Sequence, residues 1–138
     1  MALRKLTLFA VPLALVAAAC DGDGSEADVT VTLHDDGIEL STSSAAAGEL
    51  SFEGVNAGST THEFEVFVVP EGVDANDLPM DGDVATADET LEVVDEIEDI
   101  APGTSATLSL NLDPGTYAVI CNLPGHYANG MHTTFEVA

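Results

Sequence analysis

The stretch Tyr117-Ala-Val-Ile-Cys-Asn-Leu-Pro-Gly-His-Tyr-Ala-Asn-Gly-Met131 decides how this chain is read. It opens within a strand expected over residues 116–120 and leads into a second strand over residues 133–137. Between the two lie a thiol (Cys121), an imidazole (His126) and a thioether (Met131), with four residues in each interval. Thiolate, imidazole and thioether together suit copper better than any other common biological metal. Zinc sites usually add a second thiolate or a carboxylate, and calcium or magnesium sites take oxygen ligands. A trigonal copper site of this kind uses two histidines and a cysteine with a long axial methionine, so a second histidine must come from elsewhere. His62, in Thr60-Thr-His-Glu-Phe-Glu-Val-Phe67, meets that need.

Working outward, residues 62–69 alternate so that His62, Phe64, Val66 and Val68 share one face and Glu63 and Glu65 the other. His62 therefore stands on the core-directed face where a strand begins. Residues 29–33 and 38–41 read as strands around the Asp35-Asp36-Gly37 turn. Residues 49–55 alternate with Leu50, Phe52 and Gly54 inward, before a turn at Asn56-Ala57-Gly58. Residues 106–110 alternate again, and Asp113-Pro114-Gly115 is a strong turn signal. Between residues 70 and 102 the pattern loosens, and only residues 89–100 carry apolar periodicity. There Leu91, Val94 and Ile97 fit a short helix, while Val93-Val94 and residues 97–100 fit an edge strand; both readings stand. Seven or eight short strands without a long helix indicate an all-β chain, a Greek-key β-sandwich.

The 138 residues make one domain with a real core, and not two. Arg4 and Lys5, an apolar run over residues 6–19 and small residues before Cys20 read as a secretory signal over 1–19. The run is shorter than the ~20 residues that a spanning helix requires. Residues 20–28 form an acidic, Gly-containing tether, and the domain occupies 29–138. Arg4 and Lys5 are the only basic residues, and all 25 acids follow the signal, so its removal takes the formal charge from −23 to −25. Like charge excludes nucleic acid and electrostatic attachment to anionic lipid. The acidity fits either a saline setting or a face that steers basic partners.

Asn56, the run His62-Glu63-Phe64, the Gly115-Thr116-Tyr117 lead-in and Cys121-x4-His126-x4-Met131 together resemble the cupredoxins. These small blue copper proteins include plastocyanin, azurin and the auracyanins, and the Pro-Gly-His-x4-Met loop is most like the auracyanin type. The resemblance covers residues 29–137 and implies one type 1 copper held by His62, Cys121, His126 and Met131. It further implies single-electron transfer between redox proteins that dock at an apolar patch near His126, the patch drawn from Leu123, Pro124, Gly125, Tyr127, Ala128 and Gly130. In the family an Asn commonly follows the strand histidine; Glu63 stands there, and Asn122 follows Cys121. The expected exchange has the Asn122 amide donating to the Glu63 carboxylate, and the Glu63 backbone amide donating to the Cys121 sulfur.

The segment before Cys20 also resembles a bacterial lipoprotein signal, with Ala17 where leucine is commoner. That implies a lipid on Cys20 and a membrane-anchored protein on the outer face of the cell membrane or in the periplasm; a monomer is expected. A plain signal peptide or an uncleaved anchor are the alternatives. With Cys20 so used, Cys121 has no disulfide partner. No enzyme is expected, because copper oxidases and nitrite reductases need further domains and more histidines than these four. The rival reading is a copper carrier or homeostasis protein. His34 and His132 are expected at the surface, outside the metal set.

Overall fold

The computed structural model describes residues 26–138, so the signal segment 1–19, Cys20 and most of the tether lie outside the described residues. Strand formation follows the alternation of β-branched and polar residues. Val29–His34 (β1) alternates strictly between buried and half-buried positions, and Gly37–Leu40 (β2) returns beside it in antiparallel pairing. The order continues with Ser44–Ala45 (β3), Gly48–Asn56 (β4), His62–Val68 (β5), Met80–Asp81 (β6), Val84–Ala85 (β7) and one helical turn, Ala87–Thr90 (α1). Glu92–Ile100 (β8), Ser105–Leu112 (β9), Gly115–Ile120 (β10) and His132–Val137 (β11) complete the chain. Eight of these strands have four residues or more, in keeping with the seven or eight expected; β3, β6 and β7 have two residues each. Among the described residues, no helix is long and apolar enough to cross a membrane.

Two sheets face each other, one ordered β2-β1-β4-β9 and the other β3-β11-β10-β5-β8, with β6 and β7 as a separate ribbon. Between the sheets lie Val29, Val31, Leu33, Phe52, Phe64, Val66, Val119 and Phe135, and the Phe52 and Phe135 rings meet edge to face at 5.5 Å. Each such aliphatic or aromatic side chain contributes about 1.5–3 kcal/mol on full burial. Gly54 does point inward: a Cβ there would lie 2.4 Å from the Phe64 ring, so the opposing sheet fits only against glycine. Asp28 is tied down one residue ahead of the expected domain start. Its carboxylate accepts from the Ser51 backbone N–H at 2.8 Å and from the Ser51 hydroxyl at 3.0 Å.

The ambiguous segment is a strand. β8 pairs with β5 along an edge of the second sheet, but it holds one extra residue between the His62 and Phe64 pairings and another between those of Val66 and Phe67. Each extra residue stretches the inward spacing from two to three. Val94, Ile97 and Ile100 therefore point inward at intervals of three, which imitates a helical period. Asp99, with φ 56°, takes up the first bulge, beside His62. The acidic side chains along this exposed edge discourage pairing with another strand.

Residues 70–91 are no loose excursion. Ala75, Leu78, Ala85, Ala87 and Leu91 cover Phe67, Ala118 and Ile120 on the outer face of the second sheet, making a second apolar cluster with Tyr127. This cover shelters Glu63 and Glu65, which strand alternation alone would have left in water.

Candidate metal centre

Three strand ends converge at one end of the sandwich. His62 opens β5, Cys121 follows directly on β10, and Met131 immediately precedes β11. All three are fully buried, whereas His126, in the loop between β10 and β11, is only partly so. The Cys121 N–H donates to the Met131 carbonyl at 3.0 Å, closing the loop and setting both residues side by side in the main core. Gly125 (φ 81°) and Gly130 (φ 107°) supply the left-handed turns on either side of His126.

The Cys121 Sγ lies 3.4 Å from the His126 Nδ1 and 4.0 Å from the His62 Nδ1, and the two Nδ1 atoms are 3.1 Å apart. The three donors lie within 4.8 Å of one another. Bonds of about 2.0 Å to nitrogen and about 2.3 Å to sulfur around a trigonal ion place neighbouring donors roughly 3.5–3.8 Å apart. The observed spacing brackets that range. Three electron-rich atoms held face to face in a dry pocket need a proton or a cation between them, and one thiolate with two imidazoles suits a soft or borderline cation. Burial pushes the Cys121 thiol up, while the backbone N–H groups of Glu63 and Leu123 pull it down. Burial and the charge of His62 lower His126.

The far side of His62 was not foreseen. Its Nε2 lies 2.9 Å from the Oδ1 of Asp35, a residue that reads in sequence only as part of a turn. The Asp35 carboxylate also accepts from the Ser59 N–H at 2.9 and 3.0 Å and from the Ser59 hydroxyl at 2.6 Å. These bonds hold its carboxyl down at about 2, the Ser59 side chain first and its backbone next. Gly58 makes the approach possible, since a Cβ there would fall 2.3 Å from Asp35 Oδ1 and 2.5 Å from His62 Nε2. Asn56 shapes the same loop: its Nδ2 donates to the carbonyls of Thr60 and Ile100, each at 2.8 Å, and its Oδ1 accepts from Gly58 at 2.9 Å.

The expected side-chain tie between Asn122 and Glu63 does not form. Asn122 instead pairs with Ala85 of β7, its Oδ1 accepting at 2.8 Å and its Nδ2 donating at 2.9 Å. Sequence reasoning missed this because it left residues 70–88, and with them Ala85, unplaced. The two residues are linked only through the Asn122 backbone N–H, which lowers the Glu63 carboxyl against the stronger effect of burial. Tyr127 is likewise no part of a surface patch. It is buried, with its hydroxyl donating to the Ala75 carbonyl at 2.8 Å and accepting from the Leu78 N–H at 3.0 Å. Pro124 and Ala128 are exposed beside His126, and Leu123, Gly125 and Gly130 are partly so.

Of the remaining histidines, His34 is half-exposed at the end of β1, with Nε2 3.6 Å from a Glu39 oxygen. His132 is half-buried, stacked on Tyr127 at 4.4 Å and bonded through Nδ1 to Asn76 at 2.8 Å. Neither joins the three-donor cluster.

Residues 6–133 match the cupredoxin-like domain family. The chain belongs to that family. Solved structures agree on the fold of this cupredoxin. Reduced auracyanin from Roseiflexus castenholzii is 23% identical with a TM-score of 0.55, over 82% of this chain and 99% of that one. Auracyanin A of Chloroflexus aurantiacus, described as a "blue" copper protein, is 20% identical at a TM-score of 0.51, over 80% and 98%. Rusticyanin from Thiobacillus ferrooxidans is 17% identical at 0.54, over 83% and 79%. No sequence match to a curated relative accompanies these likenesses.

Proposed function

We propose that this cupredoxin holds one type 1 copper ion through His62, Cys121, His126 and Met131 and carries single electrons between redox proteins. The observation that carries the reading is the convergence of one sulfur and two imidazole nitrogens within 4.8 Å, with a fully buried methionine beside the cysteine. A copper ion held by these residues would supply one-electron exchange between Cu(I) and Cu(II), and Met131 and the surroundings of the Cys121 sulfur would tune its potential. The chain's part is to keep the donors still. Strand ends hold His62, Cys121 and Met131, and residues 70–91 fasten the loop through Asn122, Tyr127 and a Gly125 N–H donated to the Asp83 carbonyl at 2.8 Å. The Glu63 and Leu123 N–H groups stabilise the sulfur as thiolate.

His126 is the ligand with access to solvent, and the small apolar surface of Leu123, Pro124 and Ala128 beside it is the port for a donor or acceptor. A chain with 25 acids and no base beyond residue 5 favours basic partners, through encounter rate more than lifetime. Residues 1–19 direct export, a lipid on Cys20 anchors the monomer outside the cytoplasmic membrane, and 20–28 tether the domain. A carrier that hands its ion on is disfavoured by the burial of three of the four ligands.

The test is to cycle the copper-loaded protein between ascorbate and ferricyanide in the presence of a Cu(I) chelator. Electron transfer predicts one electron per copper over repeated cycles with the metal retained. Loss of copper to the chelator on the first reduction contradicts it.

A further inference from the structure

The contact between Asp35 and His62 assigns a role to a residue 27 positions upstream of the histidine strand. We propose that the Asp35 carboxylate is a positioning residue that fixes the proton of His62 on Nε2, leaves Nδ1 as the metal donor, and biases the site toward the oxidised ion. The inference rests on the copper reading above.

For the neutral imidazole that a metal requires, the geometry allows one assignment. An ionised carboxylate only accepts hydrogen bonds. Ser59 gives Asp35 an N–H and an O–H, which occupy Oδ2 and share Oδ1. The remaining approach to Oδ1 is the His62 Nε2 at 2.9 Å, so Nε2 carries the hydrogen and Nδ1 its lone pair. That lone pair faces the Cys121 sulfur and the His126 Nδ1. Tautomer and ring orientation are thus set before any metal arrives.

The contact is built rather than incidental. His62 is fully buried, Asp35 is half-exposed, and a side chain at position 58 would intrude on both contacting atoms, so glycine there leaves room for them to meet. Carboxylates on the second nitrogen of a ligating histidine raise its basicity, and losing such a partner typically costs about 10–100-fold in metal affinity. A fixed anion one imidazole away from the ion also favours the higher charge state. No lysine or arginine in the described residues offsets it.

The test compares the wild type with Asp35→Asn, which keeps the shape and removes the charge, and Asp35→Ala, which removes the acceptor. In the metal-free protein, nitrogen-15 spectra are expected to show His62 as the Nε2–H tautomer in the wild type and in Asp35→Asn. Asp35→Ala is expected to lose that single tautomer. In the copper-loaded protein, Asp35→Asn is expected to weaken Cu(II) binding at least tenfold more than Cu(I) binding, raising the potential by about 59 mV for each tenfold. An Nδ1–H tautomer in the wild type overturns the proposal, and so does an unchanged potential in Asp35→Asn. If Asp35→Asn does not fold, the wild-type spectrum still decides. If the wild type binds no copper as a thiolate complex, the functional reading fails, while the metal-free spectra still judge Asp35 as the residue that sets the tautomer.

Discussion

The side chain of Asn122 and the backbone of Ala85 bond to each other in both directions, at 2.8 and 2.9 Å. This pair joins the residue after the candidate cysteine to a ribbon that, in sequence, has no evident connection with it. The segment from Ala75 to Ala85 therefore acts as a strap across the ligand loop. It meets that loop again at Gly125, Tyr127 and the adjoining His132.

Removing the strap's bonds one at a time should loosen the loop without collapsing the sandwich. Tyr127→Phe leaves the Ala75 carbonyl and the Leu78 N–H without their buried partner. Such an unpaired group costs about 1–3 kcal/mol. Denaturant unfolding of the metal-free protein measures it, and a loss below a few tenths would show that the strap is not needed. Asn122→Ala should cost about 1 kcal/mol by the same measurement, because its two bonds are only part-buried.

Gly54→Ala should be destabilising by about 1–3 kcal/mol, since the added methyl meets the Phe64 ring across a filled core. Its effect belongs to the fold. The midpoint of unfolding should fall by a similar amount with and without copper.

Glu65 gives a pH dependence of definite sign. Burial, then the neighbouring charges of Glu63, Asp88 and Glu96, push its carboxyl up to about 8. The folded state thus holds a proton that the unfolded chain releases near the ordinary glutamate value of 4.5. Its favourable contribution is fully present below about 4.5 and is lost as pH rises through about 8. Glu65→Gln should therefore raise the melting temperature at pH 8.5 and leave it nearly unchanged at pH 4. Equal effects at the two values would rule out this account of Glu65.

Most of the sandwich was legible because its strands keep period two, as in β1 and β4, and because Asp113-Pro114-Gly115 marks its turn by composition. Gly54 was readable as an inward position for the same reason. β8 was not, since two bulges turned its inward residues to a spacing of three. The four donor residues stood out by chemistry and interval, two on or beside strands whose faces could be counted. Asp35 and Gly58 did not, because each is explained as a turn residue, and Ser59 carries no signal of its own, until the fold brings Asp35 against His62. The Asn122 tie was assigned to the wrong partner for a related reason. Hydrogen bonds between a loop and a distant ribbon leave no periodic trace in sequence.

The central claim is tested most directly by titrating the protein with copper(II) and recording optical and spin-resonance spectra alongside Cys121→Ser. The account predicts an intense thiolate-to-copper band with narrow hyperfine splitting, complete at one equivalent, bleached reversibly by ascorbate and absent from the variant. A pale complex, a band that survives Cys121→Ser, or zinc bound in preference to copper would contradict it.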